Sequence, residues 1–117
     1  MSTTVYGSQY GYSAVGRVDG KTLYGSEYGY DVVGRRDGNT VYDSEYGYHA
    51  VGRVEKDGVV YDSEYGYHAV GRVEKDGVIY DSQYGYHAVG RCEGSNSSAL
   101  EDVELSGAAL RLLLKKP

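Results

Sequence analysis

The chain has no Trp and no Phe, a single Cys, a single Pro and a single Met among 117 residues. One thiol, Cys92, excludes an intramolecular disulfide framework and any cysteine-based zinc cluster. Basic residues are scarce, with 12 Lys plus Arg against 17 Asp plus Glu and a net charge of −5. A nucleic-acid module would normally carry a basic face, so none is expected as a partner. Long hydrophobic runs are missing too. Nothing approaches the roughly 20 apolar residues of a spanning helix, and no transmembrane segment is expected. The start, Met1-Ser2-Thr3-Thr4, passes straight into Val5-Tyr6 without the apolar core of a secretory leader. With a free thiol, this points to a cytoplasmic protein. No phosphate-loop or dinucleotide fingerprint is present, and no cofactor or metal site is expected.

What the chain does have is 18 Gly and 15 Tyr, and both follow a repeat. The run Val5-Tyr6-Gly7-Ser8-Gln9-Tyr10-Gly11-Tyr12 returns from Leu23, Val41, Val60 and Ile79. Each copy continues into Val-Gly-Arg, as at Val15-Gly16-Arg17 and Val70-Gly71-Arg72. The leading Tyr falls at 6, 24, 42, 61 and 80, and all 15 Tyr lie in the repeats, three per copy. Repeats of this kind define the fold.

Each copy reads as a β-hairpin. A short strand such as Val60-Tyr61-Asp62 precedes the turn Ser63-Glu64-Tyr65-Gly66, where Gly66 is free to take positive φ. A longer strand from Tyr67 to Glu74 follows. Between copies stands Asp-Gly or Lys-Asp-Gly, a hairpin signal. The change from 18- to 19-residue spacing is a longer turn between unchanged strands. Alternation places Val60, Tyr67, Ala69, Gly71 and Val73 on an interior face, with Val59, Tyr61, His68, Val70 and Arg72 opposite. One short hairpin is unstable in water, so stacked copies must share a core. An open meander of ten strands would leave two sticky edges. The expected fold is therefore all-β: five antiparallel β-hairpin repeats closed around a pseudo-fivefold axis. The alternative is an open twisted sheet that pairs at its edges.

Residues 1–94 form this repeat domain and 95–98 a linker. Residues 99–117 read as an apolar C-terminal helix that plugs the ring. Ser98-Ala99-Leu100-Glu101 is a capping-box pattern, with Gly107 as an interruption. The stretch Ala108–Leu114 is apolar on every side except Arg111, which suits burial. Lys115 and Lys116 close it against the helix dipole.

The motifs Tyr-Asp-Ser-x-x-Gly, Val-Gly-Arg-Val and Asp-Gly, with the Gly-Ala-Ala-Leu-rich tail from Glu104 to Leu114, resemble the bacterial β-flower repeat proteins over nearly the whole chain. The resemblance implies hairpin petals about an axis and no established activity. This chain departs in having five copies where the family form is fourfold, and in its repeated Tyr-Gly-Tyr.

Candidate sites follow the repeat. Arg17, Arg35, Arg53, Arg72 and Arg91 share one position. Aimed at the axis they could bind an anion. The plainer reading pairs each with Glu27, Glu45, Glu64 or a turn Asp, or stacks it on Tyr. Tyr10, Tyr28, Tyr46, Tyr65 and Tyr84, each followed after a Gly by a second Tyr, either build the core or line five shallow clefts for sugars or peptides. Core building is the weightier reading, since a small domain needs its large side chains for burial. His49, His68 and His87 share a position with Ser13 and Asp31, which fits an exposed outer face better than a metal site. Cys92 stands where other copies have Val and reads as a core residue. Faithful fivefold copying works against a catalytic centre, which needs unlike groups to converge. The function expected is a non-enzymatic, monomeric scaffold for multivalent interaction with a protein or small ligand. An Arg-circle anion binder and a Tyr-lined carbohydrate module are the alternatives.

Overall fold

The computed structural model describes residues 2–92 and 102–114. The strands are β1 (Ser2–Tyr6), β2 (Ala14–Asp19), β3 (Thr22–Tyr24), β4 (Val32–Asp37), β5 (Thr40–Tyr42), β6 (Ala50–Val54), β7 (Val59–Tyr61), β8 (Ala69–Val73), β9 (Val78–Tyr80) and β10 (Ala88–Cys92). A helix, α1 (Asp102–Ala109), runs on into a π-helical turn, Leu110–Leu114. Sequential strands pair antiparallel, and β1 also pairs with β10 through Val5↔Cys92 and Tyr6↔Arg91. The sheet is thus a closed ten-strand barrel of five hairpins, and the open ribbon is overturned.

The turns between repeats explain the two spacings. Asp19 pairs with Thr22 and Asp37 with Thr40, which leaves two-residue loops. Gly20 (φ 61°) and Gly38 (φ 64°) hold the first loop position, the type II′ pattern that matches strand twist. The later turns carry one more residue. There Gly58 N donates to Glu55 O at 2.9 Å, and Asp57 Oδ1 accepts from Val59 N at 3.1 Å.

Within each hairpin one valine is surplus. Val5 faces Gly16 while Tyr6 faces Ala14, so Val15 has no opposite number. Val33, Val51, Val70 and Val89 are its equivalents. Such a bulge bends its strand and sharpens the twist, and five of them distribute the curvature that closure requires. The bulge also breaks the alternation used to assign faces. Val60, Gly71 and Val73 are buried as expected, but Ala69 is only half-buried and Tyr67 is 83% exposed. Tyr67 precedes β8 and lies beyond the bulge at Val70, so the interior register does not reach it.

Val5, Leu23, Val41, Val60 and Ile79 form one ring of fully buried side chains. Val18, Arg36, Val54, Val73 and Cys92 form a second. The C-terminal element fills the space inside. Nearly every side chain described from Glu104 to Leu113 is buried. A Cβ placed on Gly16, Gly71, Gly52 or Gly34 would strike Leu110, Leu112, Leu113 or Leu114 respectively, one on Gly90 would crowd Arg111, and each would also overlap the carbonyl oxygen of the next repeat's leading Tyr. Five consecutive residues therefore address five repeats in turn, each step a fifth of a circle. An α-helix turns about 100° per residue, too far for that match. The wider π turn, closed i→i+5, lets one residue serve one petal.

The plug is also keyed. Arg36 stands where other repeats have Val or Cys, and its Nε donates to Ser106 Oγ at 2.8 Å. Arg111 Nε donates to Val89 O at 2.6 Å and its Nη2 to Gly7 O at 3.2 Å, joining the last repeat to the first. Burial lowers the Arg111 pKa below its usual value. Gly107 does not interrupt the helix: it lies within α1, where a Cβ would overlap Cys92 Sγ. The proposed capping box at Ser98–Glu101, the linker 95–98 and the pair Lys115–Lys116 lie outside the described residues.

Two outcomes test this packing. Leu113→Ala should cost about 2–5 kcal/mol as a cavity mutation, and Gly52→Ala at least about 1–3 kcal/mol by overpacking against both the Tyr61 carbonyl and Leu113. A denaturant midpoint that stays unchanged in Leu113→Ala would show the plug to be dispensable. Separately, burial and the nearby Glu104 push the Cys92 thiol up to about 12, against about 8.5 when unfolded. Between those values the unfolded chain binds fewer protons, so stability falls as pH rises, by at most about 1.4 kcal/mol per pH unit. Cys92→Ala should flatten this alkaline slope in denaturation curves taken at pH 8 and pH 10.

Candidate functional site

The loops inside the hairpins, residues 7–13, 25–31, 43–49, 62–68 and 81–87, share one construction. Ser63 Oγ accepts from Gly66 N at 2.7 Å, and Ser8, Ser26, Ser44 and Ser82 make the same bond to the Gly three residues on. Gly66 does not take positive φ, contrary to expectation. Glycine is needed there because a Cβ would overlap Ser63 Oγ. At the loop base a backbone bond spans six residues, as in Gly7 N to Ser13 O at 3.0 Å and Asp62 N to His68 O at 3.2 Å. In the last three loops the side chains repeat this link. His49, His68 and His87 Nδ1 lie 2.8 Å from Oδ2 of Asp43, Asp62 and Asp81. The first two repeats have Gly7 with Ser13 and Gly25 with Asp31 instead, so both partners change together. The three His are exposed, each on its own petal, and no three metal-ligating side chains converge among the described residues.

The five Arg do not face the axis. Gly16 meets the plug, so its neighbour Arg17 points outward, and the others follow by repetition. Each guanidinium lies over two Tyr of the next repeat. Arg17 Cζ is 3.9 Å from the Tyr24 ring centre and 4.8 Å from that of Tyr30. Arg91 closes the circle on Tyr6 and Tyr12, at 4.2 and 4.8 Å. Arg72 Nη1 donates to the carbonyls of Ser82 and Gln83 at 3.1 Å each and of Gly85 at 2.5 Å. Arg17 donates to Gly29 O, and Arg35, Arg53 and Arg91 each reach the three matching carbonyls of the loop ahead. Stacking on Tyr is thus as expected, but the acid partners differ. Glu45 and Glu64 offer Arg35 and Arg53 only their backbone carbonyls. Glu55 engages Arg53 Nε at 2.7 Å and Glu74 engages Arg72 Nε at 2.8 Å.

The tyrosines divide into three sets. The leading Tyr6, Tyr24, Tyr42, Tyr61 and Tyr80 lie buried or half-buried on the barrel wall. Tyr12, Tyr30, Tyr48, Tyr67 and Tyr86 meet them edge to face, with centroids 5.7–6.1 Å apart, yet remain 80–83% exposed. Tyr10, Tyr28, Tyr46, Tyr65 and Tyr84 are 81–83% exposed. The expectation that the loop tyrosines build the core is therefore overturned: Val, Leu and Ile with the plug already fill it, and the loops fold back over the outer wall. Clefts form between a loop and the preceding turn. One of about 300 Å³ is lined by Thr4, Arg17, Asp19, Glu27, Tyr28 and Tyr30. Another of about 510 Å³ is lined by Glu74, Lys75, Asp76, Tyr80 and Tyr86. Burial and the charges of Asp76 and Glu74 raise the Tyr80 pKa.

Sequence reasoning missed the buried Arg36 and its partner Ser106. The signal was present, since Arg36 is the only charged residue in its column of the repeat. No family model, curated protein or solved structure matches the chain.

A lysine can neither stack flat on two rings nor share one planar group among three carbonyls. Arg53→Lys should therefore speed amide exchange of Gly66, in the loop of the next repeat, several-fold. The loop of its own repeat, 43–49, should keep its rates. Equal loosening of both loops would refute this directional clamp.

Proposed function

We propose that the protein is a non-enzymatic binding scaffold that presents five similar tyrosine loops to one partner at once. One observation carries the reading: ten Tyr are 80–83% exposed, in five loops of the same build. Soluble proteins rarely leave so many large rings in water, clustered by loop, without a binding role. Tyr suits such a role, combining a large contact area with a polar tip and few rotatable bonds. The Ser–Gly bond and the Arg clamp fix each loop beforehand, which reduces the ordering cost of binding. Five weak sites on one rigid ring gain avidity of the order of 10²–10⁴ without a tight single site. The Arg circle is the less supported candidate for the ligand contact, because its donors already serve carbonyls and Glu55 or Glu74. Kinship with the β-flower proteins belongs to the same proposal and is supported by the closed ring of hairpins. So do a cytoplasmic location, supported by a single buried cysteine outside any disulfide, and a monomeric state, supported by a closed sheet with no edge strand left to pair with a second copy.

The test is a peptide and glycan array printed at low and high density. Variants carry Tyr→Ser at both loop positions in one, three or all five loops. Binding should need high density and should fall more than tenfold by the three-loop variant. Binding retained by the five-loop variant, or indifferent to density, would sink the proposal.

A further inference from the structure

We infer that the petals select a positively charged partner, a lysine- or arginine-rich polypeptide segment. The inference rests on the scaffold reading and adds the chemistry of the partner. The five loops contain no Lys or Arg. They contain seven carboxylates, among them Glu27, Glu45, Glu64 and Asp31, and the chain as a whole carries −5. The nearest cations, the clamping Arg side chains, lie beneath the loops and are spent on carbonyls and rings. The three His, neutral in the formal count, are bonded to the Asp of their own loops.

The clefts have the same bias. In one, Asp19 and Glu27 stand beside Tyr28 and Tyr30 with Arg17 as the sole cation. In the other, Glu74 and Asp76 stand beside Tyr80 and Tyr86 with Lys75. Carboxylates thus stand next to aromatic rings in both clefts, although Glu74 already carries Arg72 and Asp76 accepts from Val78 N. A carboxylate attracts an ammonium or guanidinium group, and a Tyr face holds it by cation–π attraction while packing on its alkyl stem. An anionic partner would meet this surface at a cost.

A polypeptide fits better than a small amine because the exposed tyrosine loops recur around the ring, four of the five with at least one carboxylate. The molecule is 33 Å across, which puts neighbouring petals roughly 20 Å apart, about six extended residues. A chain with cations at that spacing can occupy two petals at once, whereas a free amine occupies one.

The repeats supply a mild variant. Gln9 and Gln83 stand where the other loops have Glu27, Glu45 and Glu64, so a triple Glu→Gln substitution at those three positions keeps a side chain the loop already accepts. The probes are fluorescent 16-residue peptides, Lys-Ser, Gln-Ser or Glu-Ser repeats, followed by anisotropy at 20 and 300 mM NaCl. The Lys-Ser peptide should bind, and at least tenfold more weakly at high salt. The triple variant should lose threefold or more, and so should Tyr28→Ser/Tyr46→Ser/Tyr65→Ser. Full affinity in the Tyr variant would reduce the effect to bulk charge and overturn the inference. Equal binding by spermine would overturn the polypeptide assignment. Preference for the Gln-Ser or Glu-Ser peptide, or no binding by any of them, overturns the charge selection. The array experiment then decides independently whether Tyr-dependent, multivalent binding survives with a partner of another charge.

Discussion

The fold depends on a contact that only glycine permits. Gly16, Gly34, Gly52, Gly71 and Gly90 bring the barrel wall against the plug with no side chain between. In a barrel of about eight strands, side chains alone can fill the interior. Ten strands enclose more, and the side chains on this inner face are mostly Val. A helix must therefore enter, and the wall must yield space to it. The requirement runs both ways: the plug has nowhere else to bury its leucines, and the ring would be hollow without them. The π turn follows from this mutual fit, because five petals ask for one residue each.

A symmetric ring would accept the plug in any of five orientations. Three departures from the repeat select one. Arg36 replaces a small apolar residue and bonds Ser106. Cys92 leaves room for α1 only where α1 has Gly107. Arg111 takes the place of a leucine at the seam and ties Val89 to Gly7. Each places a polar or sterically exacting group where any other orientation would leave it unpaired or overlapping, and buried polar groups tolerate neither. Repetition builds the ring, and departures from it fix the chain's single arrangement.

Much of this was legible. Five copies, the hairpins, the length change in the turns, closure and the apolar plug all follow from local patterns such as Asp57-Gly58 or Leu112-Leu113-Leu114. The parts that were not legible share one physical feature: they depend on relations between elements. The surplus Val70 shifts the register by one residue, and nothing in Tyr-His-Ala-Val-Gly-Arg alone says which residue is extra. Whether Tyr67 is buried depends on whether the core has room, which is a property of the whole ring. The rings and carbonyls that hold Arg53 lie in the following repeat, and its ion pair is with Glu55, two residues on, rather than with the loop acids Glu45 or Glu64. Arg36 is the exception. A charged residue in an apolar column could have been read as a buried partner for the plug.

The exposed rings can be sorted by what the fold asks of them. Tyr12 and its equivalents cover the leading Tyr and lie near the guanidinium groups, so the loop clamp accounts for them. Tyr10, Tyr28, Tyr46, Tyr65 and Tyr84 take part in none of the ring or cation contacts found among the described residues. The turn they occupy is held by Ser Oγ, Gly N and three carbonyls, all of which would remain if the ring were replaced. Stability alone gives no reason for an apolar ring at that position, since a polar residue would leave less apolar surface in water. Yet the position is Tyr in all five copies, while its neighbours vary between Gln and Glu, Gly and Asp, and Ser, Asp and His. A side chain that the loop does not need, repeated on a backbone held from beneath, is therefore left unexplained by folding, and the proposed contact role rests on that.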